Sequence, residues 1–169
     1  MKRIIAVALI AFGGMATSAS AQDTLTGNLT QDSTLPVNSC FYLEDCFVVK
    51  AGYTLTIEAG VHVLARNASS LIIEPGAQLV VNGVSNNPVI FTSAEDPEDR
   101  APGDWYGIVI GGLSYTNDGP LGMGSCTNVL AGDTFPDDNS GTITYLQIHF
   151  AGGDATDQLD NALTLNAVG

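Results

Sequence analysis

The chain has 169 residues, with eighteen acidic and five basic side chains and a net charge of −13 when histidine is neutral. A surface of that sign repels phosphate backbones and anionic lipid headgroups, which argues against nucleic-acid or membrane-surface binding. The length suits one domain with one sizeable core, and the acidity suits a solvated face, a divalent-cation binder or a saline environment.

Residues 1–21 read as a signal peptide. Lys2 and Arg3 precede an apolar run from Ile4 to Phe12, and Ala19-Ser20-Ala21 supplies the small-x-small pattern of a cleavage site before Gln22. The competing reading, a buried N-terminal helix, does not explain why these three regions occur in this order. The run is too short for a bilayer, which needs roughly 20 apolar residues, so no transmembrane segment is expected in the mature chain. Export removes two cations, leaving Lys50, Arg66 and Arg100 against eighteen acids, a net −15. The expected destination is the cell surface or the extracellular space, with the periplasm as the alternative.

Residues 22–46 are expected to form an N-terminal cap. Cys40 and Cys46 enclose five residues, and a turn there would bring them within disulfide range in an oxidising compartment. Cys126 is then left over, either as a thiol or paired outside the chain.

From Phe47 onward, short apolar–polar alternations end at Gly, Pro, Asn or Asp, and no helical periodicity is sustained. Leu55-Thr56-Ile57-Glu58-Ala59-Gly60 recurs as Leu71-Ile72-Ile73-Glu74-Pro75-Gly76, sixteen residues on. A strand of four or five residues cannot bury its own apolar face, but stacked turns bury it in one continuous core. Gly60, Gly76 and Gly83 fall at the corners, and Glu58 and Glu74 are expected to stack outward at equivalent ones. An antiparallel sandwich is the competing fold; it needs tight hairpin turns, and only Asn82-Gly83 looks like one. The expected class is all-β, a parallel solenoid over residues 47–169 with a long loop insertion around 111–141.

Several segments resemble a family of exported bacterial right-handed parallel β-helix proteins. They are Phe47 to Gly60, Asn87 to Ala94, Gly103-Asp104-Trp105-Tyr106-Gly107-Ile108-Val109-Ile110-Gly111 and Asp138 to Ile143. The resemblance runs from about Thr24 to the last residue. It implies a right-handed coil and membership of a group of large secreted or surface proteins, mostly of unassigned function, that share a fold with polysaccharide lyases and adhesins. Members usually carry a second glycine where this chain has Tyr106, and the region between Trp105 and Thr142 varies in length. The resemblance also implies that the sequence is the N-terminal portion of a longer coil, because Asn161 to Gly169 reads as mid-coil without a polar cap.

Candidate chemistry is sparse. Asp133, Asp137, Asp138 and Asn139 cluster in the insertion, and Asp154, Asp157 and Asp160 follow. Oxygen ligands at such spacing are candidates for Ca²⁺, although no EF-hand or nonapeptide calcium repeat is present. His62 and His149 stand apart and are expected as exposed strand residues. Trp105 and Tyr106 could stack on a sugar, but Trp105 is expected in the core. No catalytic constellation is recognisable. The expected function is therefore a non-catalytic surface or extracellular solenoid, an adhesin-like or scaffolding module. The alternatives are a protein that binds or degrades a polysaccharide, and a filament subunit that self-associates through open rungs. An ice-binding face is disfavoured for lack of a regular Thr-x-Thr ladder.

Overall fold

A computed structural model describes residues 23–117, 119–124, 126–153 and 161–169. Among them every regular element is a β-strand. The strands wind into five stacked coils with three faces, which we call A, B and C in the order the chain visits them.

The first coil holds β1 (Asp23–Leu29) and β2 (Ser33–Leu35); the second holds β3 (Cys40–Val49) and β4 (Thr54–Glu58). The third comprises β5 (His62–Ala65), β6 (Ser70–Ile73) and β7 (Gln78–Asn82). The fourth contains β8 (Val89–Ser93), β9 (Gly107–Gly111), the short pair β10 (Leu121–Gly122) and β11 (Leu130–Ala131), and β12 (Gly141–Thr144). Finally come β13 (Leu146–Ile148) and β14 (Leu163–Asn166).

Pairing is parallel throughout the coil. Face A runs from the start of β3 through β5 and β8 to β13, and face B from the end of β3 through β6 and β9 to β14. Face C stacks β2, β4, β7 and β12. Both halves of β3 also pair with β1. This is a parallel β-helix, as the alternation of residues suggested, and not a sandwich.

Inward side chains form ladders that follow the register. Leu35, Ile57, Val81 and Ile143 line face C, while Leu29, Val49, Ile73, Ile110 and Leu165 line face B. All but the last residue of each ladder are buried in one apolar cluster. Burial of such a side chain contributes about 1.5–3 kcal/mol, so the ladders are the main stabilising element. Ile143 on β12 and Leu163 and Leu165 on β14, the last strands of faces C and B, are exposed, because no strand lies over them in the described structure.

Three expectations change. The sixteen-residue recurrence does not relate successive coils: Leu55 stacks on Leu79 and Phe47 on Leu71, both twenty-four residues on. Leu55 and Leu71 belong to different faces of the helix. Glu58 and Glu74 therefore do not stack; Glu58 accepts a hydrogen bond from Asn82 Nδ2 at 3.2 Å, and Glu74 is buried elsewhere. Stacking also starts before Phe47. β3 crosses that position without interruption, bending at Asp45 in the left-handed region (φ 53°) to pass from face A to face B.

The corner glycines behave as expected. Gly60 and Gly76 adopt φ of 73° and 80°, and a Cβ on Gly83 would meet the carbonyl oxygen of Tyr145 at 2.5 Å. Residues 1–21 lie outside the described residues.

Candidate functional site

Faces A and C have largely exposed or partly exposed outer sides, whereas the middle of face B is covered. The outward column of face B is Asn28, Val48, Ile72, Val109 and Thr164, in register. Its three apolar members are all buried, so β6 and β9 are apolar on both sides. A strand buried on both faces reads as a continuous apolar run, and that is how Leu71-Ile72-Ile73 and Ile108-Val109-Ile110 read.

The cover is the insertion between β9 and β12. It does not extend away from the coil as a loop. It folds back, places Met123 and Ala131 on Val48, Ile72 and Val109, and forms a second small apolar cluster with them. Met123 suits this position because its unbranched side chain fills irregular gaps.

Two adjacent residues tie the cover down. Cys126 is bonded to Cys46 across 80 residues of sequence, with Cα atoms 5.7 Å apart. Thr127 Oγ1 donates to Glu74 Oε1 at 2.8 Å. The expected Cys40–Cys46 bridge is thus not formed. Both cysteines lie on β3, but on opposite sides of the corner at Asp45: Cys40 pairs with His62 on face A and Cys46 with Ser70 on face B, so the strand carries their side chains to different faces. Cys40 stays outside the disulfide and pairs through its backbone with His62 on face A.

Glu74 is the most buried carboxylate of the described residues, at 2% exposure. It accepts from Lys50 Nζ, which keeps the charge paired, and from Thr127. Lys50 and Glu74 occupy the corner between faces B and C in successive coils, where Glu74 N also donates to Val49 O at 3.0 Å. Sequence reading placed Glu74 outside; its burial arises because the insertion packs over its corner.

Three of the calcium candidates, Asp133, Asp137 and Asp138, lie in the described part of the insertion. Among the described residues no three His, Cys, Asp or Glu side chains converge as a metal site. Asp133 and Asp137 are exposed, Asp138 Oδ2 accepts from Ser140 Oγ at 2.9 Å, and Asn139 Oδ1 accepts from Gly141 N. These are turn contacts that prepare the entry to β12. Asp154, Asp157 and Asp160 lie outside the described residues.

Trp105 falls in the core as read and His62 on strand β5, whereas His149 lies just past the end of β13 and not on a strand. Trp105 is fully buried, donates its indole N–H to His149 O at 2.9 Å and stacks on Phe91 with ring centroids 6.0 Å apart. His62 and His149 are exposed. Tyr106 packs against the apolar cluster beneath the insertion. A cleft of about 480 Å³ opens between the insertion and the last coil, lined by Tyr115, Asn117, Leu121, Leu165 and Val168 among others. Among the described residues the lining offers an exposed aromatic ring and an amide beside an apolar floor, features that suit ligand binding.

These features define a parallel β-helix with one covered and two uncovered faces. The family model for the pectate-lyase-like β-helix domain matches residues 27–169, and the chain belongs to that family. No curated protein sequence and no solved structure matches significantly.

Proposed function

We propose that this chain is a non-catalytic β-solenoid, an adhesin-like or scaffolding module of an exported surface protein. The observation that carries this reading is the placement of its cations. Lys50 is engaged with Glu74, Arg66 pairs with Glu44 at 2.7 Å and lies over the Tyr42 ring, and Arg100 Nε donates to Glu95 O. Each cation of the described residues holds a corner or a loop, and the three sit in separate places. Cleavage of an acidic polysaccharide by elimination would use such a group to stabilise or move a proton at the sugar.

The test is a screen of lyase and hydrolase activity on acidic and neutral polysaccharides beside a glycan-binding array. The expected result is no turnover. Turnover abolished by Asp137→Ala or Asp138→Ala overturns the reading.

A second reading, a polysaccharide-binding β-helix, is favoured by the exposed Tyr115 and Asn117 in the cleft. Retention on an immobilised glycan, lost in Tyr115→Ala, would support it. A third, association through open rungs, draws on the exposure of Leu163 and Leu165. A further strand would bury them, whether it came from the same polypeptide or from a second copy.

A further inference from the structure

The insertion is anchored in two different ways along its length. Its base is held by backbone hydrogen bonds: Gly132 N donates to Gly112 O at 2.9 Å, Asp133 N to Ser114 O, and Phe135 N to Leu113 O. Gly112 N and Ser114 N in turn donate to Asn166 O and Ala167 O of the last coil. The described residues beyond the base, 119–124 and 126–131, have much less. Their one strand pair, β10 with β11, is internal to the insertion and two residues long. Noncovalent attachment to the coil rests on Met123 and Ala131, on Thr127 bound to Glu74, on Asn166 Nδ2 bound to Gly122 O, and on a contact of 3.2 Å between Ser70 Oγ and Cys126 Sγ. The strongest attachment is the Cys46–Cys126 disulfide, and neither of its cysteines is fully buried.

We infer that the Cys46–Cys126 disulfide is the latch of a redox-sensitive cover. Reduction by a dithiol transfers two electrons and two protons to the Sγ–Sγ bond, leaving two cysteine thiols and an oxidised, disulfide-bonded reductant. The segment beyond the base then swings from face B, with the pairs at 112–114 and 132–135 as its hinge. Opening uncovers Val48, Ile72 and Val109 and gives Glu74 and Lys50 to solvent. The coil itself is unaffected, because its ladders of backbone hydrogen bonds and inward side chains do not pass through the insertion. Local opening of this kind is what a segment with few apolar contacts undergoes when a covalent tie is removed.

Hydrogen exchange of the whole chain, with and without tris(carboxyethyl)phosphine, tests the latch. Exchange of the amides in residues 119–131 should rise at least tenfold on reduction, while β6 and β7 change less than twofold. An apolar dye should bind only the reduced protein. A Cys46→Ser/Cys126→Ser double variant should show the open pattern without reductant. Unchanged exchange in 119–131 on reduction overturns the proposal, because noncovalent contacts would then hold the cover. An equal rise throughout the coil also overturns it, since the bond would then be a global staple.

Discussion

Asn87 reaches across a whole coil to Asn38, donating its side-chain amide to Asn38 Oδ1 at 2.9 Å. The coil between them presents Gly60 at that corner, and a Cβ there would overlap both amide groups. Gly60 also needs its positive φ. Gly60→Ala should therefore lower stability by about 1–3 kcal/mol, and Asn87→Ala by about 1 kcal/mol. Chemical denaturation checks both, and equal small losses would argue against steric exclusion at Gly60.

Outward residues on faces B and C should respond differently to truncation. Ile72 is fully buried beneath the insertion, whereas Thr56 faces outward on the uncovered face C. Ile72→Ala should cost about 2–5 kcal/mol and Thr56→Ala within about 0.5 kcal/mol. Thermal unfolding of the two variants would reveal a similar cost if face B were uncovered in solution.

Removing one partner of the corner ion pair leaves the other charge stranded. Lys50→Met should destabilise by about 2–4 kcal/mol, because Glu74 stays buried with only Thr127 to satisfy it. Lys50→Met/Glu74→Leu should recover much of that loss. A double-mutant cycle in denaturant measures the coupling, and additive effects would show that the two groups do not interact.

Register can be tested along one inward ladder. Ile110 stacks on Leu165, yet Ile110 is 3% exposed and Leu165 58%. Ile110→Asp should unfold the domain or cost more than about 4 kcal/mol, since it buries an unpaired carboxylate. Leu165→Asp should cost less than about 1 kcal/mol. Circular dichroism melts of the two variants decide it, and equal losses would mean that Leu165 is covered in solution.

Alternating apolar residues closed by glycine corners identify stacked short strands from sequence alone, because a strand that brief has no other way to bury its side chains. Leu55, Ile57, Leu79 and Val81 are inward for that reason, and the corners at Gly60 and Gly76 are set by backbone sterics. The limits of the insertion were equally legible, since β9 ends at Gly111 and β12 begins at Gly141. The coil length was not. The likeness of Leu55–Gly60 to Leu71–Gly76 arises because two faces of one helix ask for the same strand-and-corner pattern, and only pairing separates faces from coils.

Most of the candidate site was settled in the same way. The cysteine partner depended on which face each half of β3 joins after its corner at Asp45, which local spacing cannot tell, and Cys46 found Cys126 through a fold-back eighty residues later. Glu74 carries the same local pattern as Glu58, yet one is buried and the other is not, because the insertion lies over one corner alone. Sequence by itself determined a coil of short strands with an apolar interior and a long insertion. Tertiary structure alone decided which face the insertion covers, since that outcome rests on contacts between residues distant in sequence, where burial, disulfide geometry and side-chain fit are determined together.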